Sequence, residues 1–141
     1  DLHASSLSDR VSLKVHIDLS NNLIEELAVS DSLVIGVPIY NFGVPLVLKQ
    51  WLDYVARAGK TFRYTDSGPV GLTDIKQAYV VISSGGTALG SPMDHVGPYL
   101  KTILGFLGVE VVHIIDAGGS KGAPEKIISD AKAQVDGLFS A

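Results

Sequence analysis

The chain has 141 residues, 46% of them hydrophobic and 18% charged, with a formal net charge of −4 and a mean hydropathy of +0.30. That is one domain with a real core, too apolar for a disordered chain and without the basic footprint that nucleic acid requires. No run approaches the roughly 20 apolar residues of a membrane span, no signal-peptide pattern opens the sequence, and the lack of cysteine excludes disulfides, a thiolate nucleophile and Cys-based metal sites, which fits a reducing, cytoplasmic setting.

Residues 1–7 show no period. From 8 to 29, Leu13, Ile17, Leu23, Ile24 and Leu27 make an imperfect helical stripe, closed by the polar turn Ser30-Asp31-Ser32. Residues 33–38 form a short β-branched run that reads as a strand buried on both faces. In 44–58, Leu48, Trp51, Leu52 and Val55 fall at i, i+3, i+4 and i+7, with Lys49, Gln50, Asp53 and Arg57 opposite, an amphipathic helix with Pro45 in its first turn and Gly59 at its end. β-formers on either side of Asp66-Ser67-Gly68-Pro69 predict a hairpin within 60–72. A strand over 77–83 follows, then a helix starting within 93–98 that carries Val96, Leu100, Ile103, Leu104 and Leu107 inward and stops at Gly108. A third strand, 109–116, and a helix over 124–139 with Ile128, Ala131, Val135 and Leu138 inward complete the chain. Strand and helix alternate three times, which predicts a parallel α/β sheet with right-handed crossovers.

Ligands of open α/β sheets bind beyond the carboxyl ends of the strands, which directs attention to residues 38–42 and 83–86. The side chains available there do not suit hydrolysis. His3, His16, His95 and His113 are scattered and none lies near a G-x-S-x-G elbow, no metal-ligand spacing appears, and residues 85–90 match neither G-x-G-x-x-G nor a Walker loop. Chemistry delegated to a cofactor fits better. A flavin ring needs donors where negative charge collects on reduction, and backbone amides and close-approaching glycines supply them without catalytic side chains.

The segments P-I-Y-N-F-G-V-P (38–45), A-R-A-G-K-T-F-R-Y-T (56–65), S-S-G-G (83–86) and P-Y-L-K-T-I-L-G-F-L-G (98–108) resemble the FMN-dependent NADH-azoreductases, flavodoxin-like quinone reductases once labelled acyl-carrier-protein phosphodiesterase. The likeness runs from about residue 8 to the carboxyl end. It implies a flavodoxin-like three-layer α/β sandwich and a homodimer with FMN at the subunit interface. It also implies ping-pong transfer of electrons from NADH or NADPH to small-molecule quinones or azo compounds. By that resemblance Pro38, Ile39, Tyr40, Asn41, Phe42, Ser83, Ser84, Gly85 and Gly86 line the isoalloxazine, and Tyr64 and Phe106 bound the substrate space above it. Two departures stand out: Ser84 replaces the Arg of S-R-G-G, and Ala88 replaces a His common after that loop. The family's first strand and Ser-rich phosphate loop have no counterpart in the sequence, so residues 1–141 are expected to be the flavodoxin-like FMN-binding domain without its amino-terminal portion. About 50 to 60 further residues are expected upstream, the length of one βαβ unit with its connections, and strand 33–38 is expected at an exposed edge.

Each of these features alone has a plainer reading. Tyr40-Asn41-Phe42 is otherwise a strand-to-helix turn, 83–86 a simple turn, Arg57, Lys60 and Arg63 solvated cations, and His113 a satisfied strand histidine. Tyr64 divides evenly between hairpin packing and a lid. A flavodoxin-type electron carrier and a flavin-free structural domain are the alternative functions; a carrier is expected to be more acidic and has less need of the 60–72 excursion. The helix at 44–58 predicts the homodimer independently: Val44, Val47, Leu48, Trp51, Leu52, Tyr54 and Val55 cover an arc of about 160°, wider than one core needs.

Overall fold

The computed structural model describes residues 7–119 and 123–140. In chain order they form α1 (Leu7–Ala28), β1 (Ser32–Pro38), α2 (Leu46–Val55), β2 (Phe62–Thr65), β3 (Gly68–Gly71), β4 (Gln77–Ser83), α3 (Val96–Leu107), β5 (Val111–Asp116) and α4 (Pro124–Phe139). β1, β4 and β5 make one sheet in that order. Both pairings are parallel, with Pro38 opposite Ser83 and Ile82 opposite Asp116. Helices flank it on both sides.

Side chains alternate across a strand, so Ile35, Val37, Ala78, Val80 and Ile82 face one way. That face meets Leu52 and Val55 of α2, Leu100, Leu104 and Leu107 of α3 and Leu27 of α1 in the core. Leu52, Val80, Ile82, Leu100 and Leu104 are essentially fully buried, each contributing roughly 1.5–3 kcal/mol of transfer free energy. The helical stripes of α2 and α3 predicted from spacing are the buried ones. Gly108 closes α3 in the left-handed conformation, φ 107°, which glycine alone adopts without steric cost.

The opposite face is sparsely covered, and two expectations change there. β1 is not buried on both sides: Val34 is 78% exposed, because β1 lies at the sheet edge beyond the reach of α4. The inward stripe of α4 is Ile127, Ala131 and Val135, which line a groove of about 360 Å³ with Val81 and Ile115, Ile128 standing at its margin. Ile128 and Leu138 remain 55% and 40% exposed, since no second helix among the described residues shares that layer. The helix expected over 44–58 is shorter at both ends: Pro45 is its N-cap, and Ala56 ends it by donating to the Leu52 carbonyl. Thr61 then ties the chain, its hydroxyl donating to the Val55 carbonyl at 2.5 Å and its amide to the Arg57 carbonyl at 3.0 Å.

The hairpin forms as expected, with Thr65 opposite Gly68 and Asp66-Ser67 at the turn. It packs on the last turn of α3, where Gly71 lies so close that a Cβ would come within 2.2 Å of the Gly108 nitrogen. α1 runs along α2: Ser20 donates to the Tyr54 carbonyl at 2.6 Å, Arg57 donates to Ser20 and Asn21, and His16 stacks on the Tyr54 ring. Part of the apolar arc of α2 is therefore covered within the chain, and Tyr54 does not argue for a second subunit. Val47 of that arc is 72% exposed, and Leu46, outside the arc, is 82% exposed.

Candidate functional site

Two loops meet at the carboxyl end of the sheet. Because Pro38 pairs with Ser83, the segments 38–42 and 83–86 leave adjacent strands side by side, and the Ile39 amide donates to the Ser83 carbonyl at 2.8 Å. Neighbouring strands lie about 4.8 Å apart, so these loops form one surface. A third segment joins it that the sequence reading passed over. The Ala117 amide donates to the Ile82 carbonyl at 2.8 Å and Gly119 to the Ser84 carbonyl at 2.9 Å. Gly118-Gly119 after a predicted strand was the available signal.

In the first loop, Tyr40 and Gly43 exchange amide-to-carbonyl hydrogen bonds of 3.1 and 2.9 Å. Asn41 and Phe42 between them have φ of 48° and 65°. Positive φ at both central positions is the pattern of a primed type I turn, for which Asn-Gly is the usual pair. Asn tolerates this region; Phe does not, and an L-residue there costs about 1–2 kcal/mol. The turn leaves Tyr40 and Phe42 63% and 49% exposed. Ile39 turns inward against the core.

In the second loop Ser83, Gly85 and Gly86 are exposed. Ser84 is 5% exposed, and its hydroxyl donates to the Thr87 carbonyl at 2.7 Å. Its side chain holds the loop together and leaves only the backbone to face a ligand. Among the described residues the amides of Asn41, Phe42, Gly85 and Gly86 meet no backbone carbonyl, and they lie beside exposed aromatic rings. A Cβ on Gly86 would meet no atom within 4 Å, which shows open space over that loop.

Beyond Gly86 the chain is tied back to α3. Asp94, 8% exposed, accepts from the amides of Gly90, Val96 and Gly97 at 2.9, 3.1 and 2.9 Å. Burial pushes its carboxyl up, but the three amides and nearby His95 outweigh that and hold it below the usual carboxylate range.

Tyr64 and Phe106 are not part of this surface in the same chain. Phe62 joins them, its ring 5.5 Å from Tyr64 and 4.5 Å from Phe106. This cluster lies at the far end of α3, about 15 Å along the axis from Val96 at 1.5 Å per residue. There the Leu107 carbonyl accepts from Thr73, ahead of β4, so the cluster is at the amino end of the sheet. Tyr64 is 74% exposed. His113 has a local explanation: it stacks on Tyr79 and shares the Gln77 side-chain oxygen with the Tyr79 hydroxyl.

Comparison with known proteins agrees with this architecture. A family model described as flavodoxin-like fold matches residues 2–138. The chain is 48% identical over 125 residues to an FMN-dependent NADH:quinone oxidoreductase of Shewanella oneidensis, covering 86% of this chain and 63% of that protein. It is 52% identical over 117 residues to one of Erythrobacter litoralis, covering 81% and 59%. Among solved structures, an FMN-dependent NADH-azoreductase of Bacillus anthracis in complex with FMN superposes with a TM-score of 0.80 at 26% identity, over 94% of this chain and 64% of that one. The chain thus spans just under two thirds of the length of these relatives.

Proposed function

The chain belongs to the flavodoxin-like fold family, and from that premise we propose that it forms the ring-binding part of an FMN-dependent NAD(P)H oxidoreductase that reduces quinones and azo compounds. The observation that carries this reading is the pairing of loops 38–42 and 83–86 through Pro38 and Ser83, which sets exposed aromatic rings, open glycine backbone and amides that meet no backbone carbonyl among the described residues on one rim. The donor set fits a flavin: the amides of Asn41, Phe42, Gly85 and Gly86 suit the oxygens and ring nitrogens of an isoalloxazine, and Tyr40 and Phe42 offer stacking surface. Bound FMN would supply hydride acceptance and electron delivery, so the chain's own residues need only bind, orient and exclude water. That accords with a rim lacking any acid–base pair.

The position of Tyr64 and Phe106 supports a second element of the proposal. About 15 Å of α3 separates them from the loops of their own chain, so they bound a substrate space only if a second copy brings them there. A homodimer related by a twofold axis would do this, and the exposed Leu46 and Val47 of α2 would give it an apolar surface to bury. The expected protein is cytoplasmic, and among the described residues no helix is long and apolar enough to cross a membrane.

The test is turnover. Full-length protein supplied with FMN should oxidise NADH or NADPH with a quinone at catalytic rate and without another redox protein. Turnover that appears only when a partner redox protein is added would favour the electron carrier, and none under either condition would leave the fold without this activity.

A further inference from the structure

We propose that Asp94 is a positioning residue for the flavin-facing loop, holding the backbone of residues 83–86 in the shape the ring requires while touching no ligand itself. This rests on the flavin reading above. The segment between β4 and α3 is a series of locked turns: Ser84 Oγ donates to the Thr87 carbonyl at 2.7 Å, the Ser91 amide to the Ala88 carbonyl at 3.2 Å, and the Asp94 amide to the Ser91 carbonyl at 2.9 Å. The series ends at the Asp94 carboxylate. One oxygen takes the Gly90 amide from inside the loop; the other takes the Val96 and Gly97 amides from the first turn of α3. A single buried group thereby clamps the loop to the helix that anchors it in the core.

Two features show that the clamp is built rather than incidental. Gly90 has φ 76°, a conformation that favours glycine, and it is this turn that aims its amide at Asp94. Gly97 leaves room for the carboxylate, since a Cβ there would lie 2.8 Å from Asp94 Oδ2. The neutral amide of Asp94→Asn cannot replace this arrangement: its NH₂ group would face the Gly90 amide, donor against donor. Charge-assisted acceptance is the stronger kind of hydrogen bond, so its loss frees the segment leading back to Gly86.

The experiment measures FMN dissociation constants by fluorescence quenching, and circular dichroism of the bound flavin, on full-length parent, Asp94→Asn and Gly97→Ala. Urea unfolding of each counts the folded fraction. Gly97→Ala displaces the carboxylate while adding a better helix former, so it decides the matter even where Asp94→Asn does not fold. The expected result, per folded molecule, is a dissociation constant raised about tenfold or more with an altered flavin dichroism signal. A merely structural Asp94 would lower stability yet leave both quantities unchanged in the folded fraction, and that result would overturn the proposal. Failure of the parent itself to bind FMN would overturn the flavin reading on which it rests.

Discussion

The left-handed backbone at Phe42 can be tested without any ligand. Phe42→Ala and Phe42→Gly both delete the ring and whatever burial it has, so their difference isolates the backbone. At φ 65° an alanine keeps the cost of about 1–2 kcal/mol that an L-residue carries there, and glycine escapes it. Against this, glycine loses about 0.5–1 kcal/mol more conformational entropy on folding. Phe42→Gly should therefore be the more stable of the pair by about 0.5–1 kcal/mol, the reverse of the usual order. With a urea m-value near 2 kcal/mol/M, that is a midpoint higher by about 0.3–0.5 M. Gly36 is the control: it has no positive φ and open space around its Cβ position, so Gly36→Ala should stabilise. Phe42→Ala equal to or more stable than Phe42→Gly, with Gly36→Ala behaving normally, would show that the turn is unstrained.

Gly71→Ala should cost about 3 kcal/mol or prevent folding, because its Cβ would strike the backbone of Gly108; urea unfolding reads this. The Asp94 carboxyl is held below its ordinary value when folded. Its stabilisation is thus complete above the unfolded value of about 3.9 and is lost as pH falls through the lower folded value; an acid-unfolding limb unchanged in Asp94→Asn would refute that. Val47→Glu should dissociate the proposed homodimer in light scattering, as a buried unpaired charge costs several kcal/mol, whereas Tyr54→Glu should chiefly disturb the α1–α2 contact. If each site takes its loops from one copy and its aromatic wall from the other, Phe42→Ala and Tyr64→Ala should each lower the proposed quinone turnover, and mixing the two variants should restore part of it.

Most of the fold was legible because the sequence pattern and the tertiary environment agree. α3 is the clearest instance: Val96, Leu100, Leu104 and Leu107 are the buried face and Gly108 ends the helix, as spacing alone predicted. Where the environment is one-sided, pattern reading failed. β1 is as apolar as a strand buried on both faces, yet only one face is covered, and in α4 Ile127 joins the inward stripe while Ile128, at the margin of the same groove, and Leu138 stay largely exposed because little packs against that side. In the site, the meeting of loops 38–42 and 83–86 followed from strand order, and Asn41-Phe42 could be read as a turn, though not as one that places an aromatic residue at positive φ. Ser84 illustrates the opposite limit. The resemblance set Ser84 against the isoalloxazine, but its burial and its bond to Thr87 give its side chain a structural task that only coordinates reveal. Asp94 carried no motif, since its three partners are backbone amides that any sequence possesses.

If the rim formed by the two loops holds the flavin ring, Gly86 gives the most direct access to it. A Cβ there meets nothing within 4 Å and its φ lies outside the left-handed region, so Gly86→Val should fold like the parent while filling the space the ring would occupy. Calorimetric titration of full-length parent and Gly86→Val with FMN should give one site per chain in the parent and an affinity about tenfold or more weaker in the variant. Equal FMN affinity in two equally folded proteins would put the ring somewhere other than on this rim.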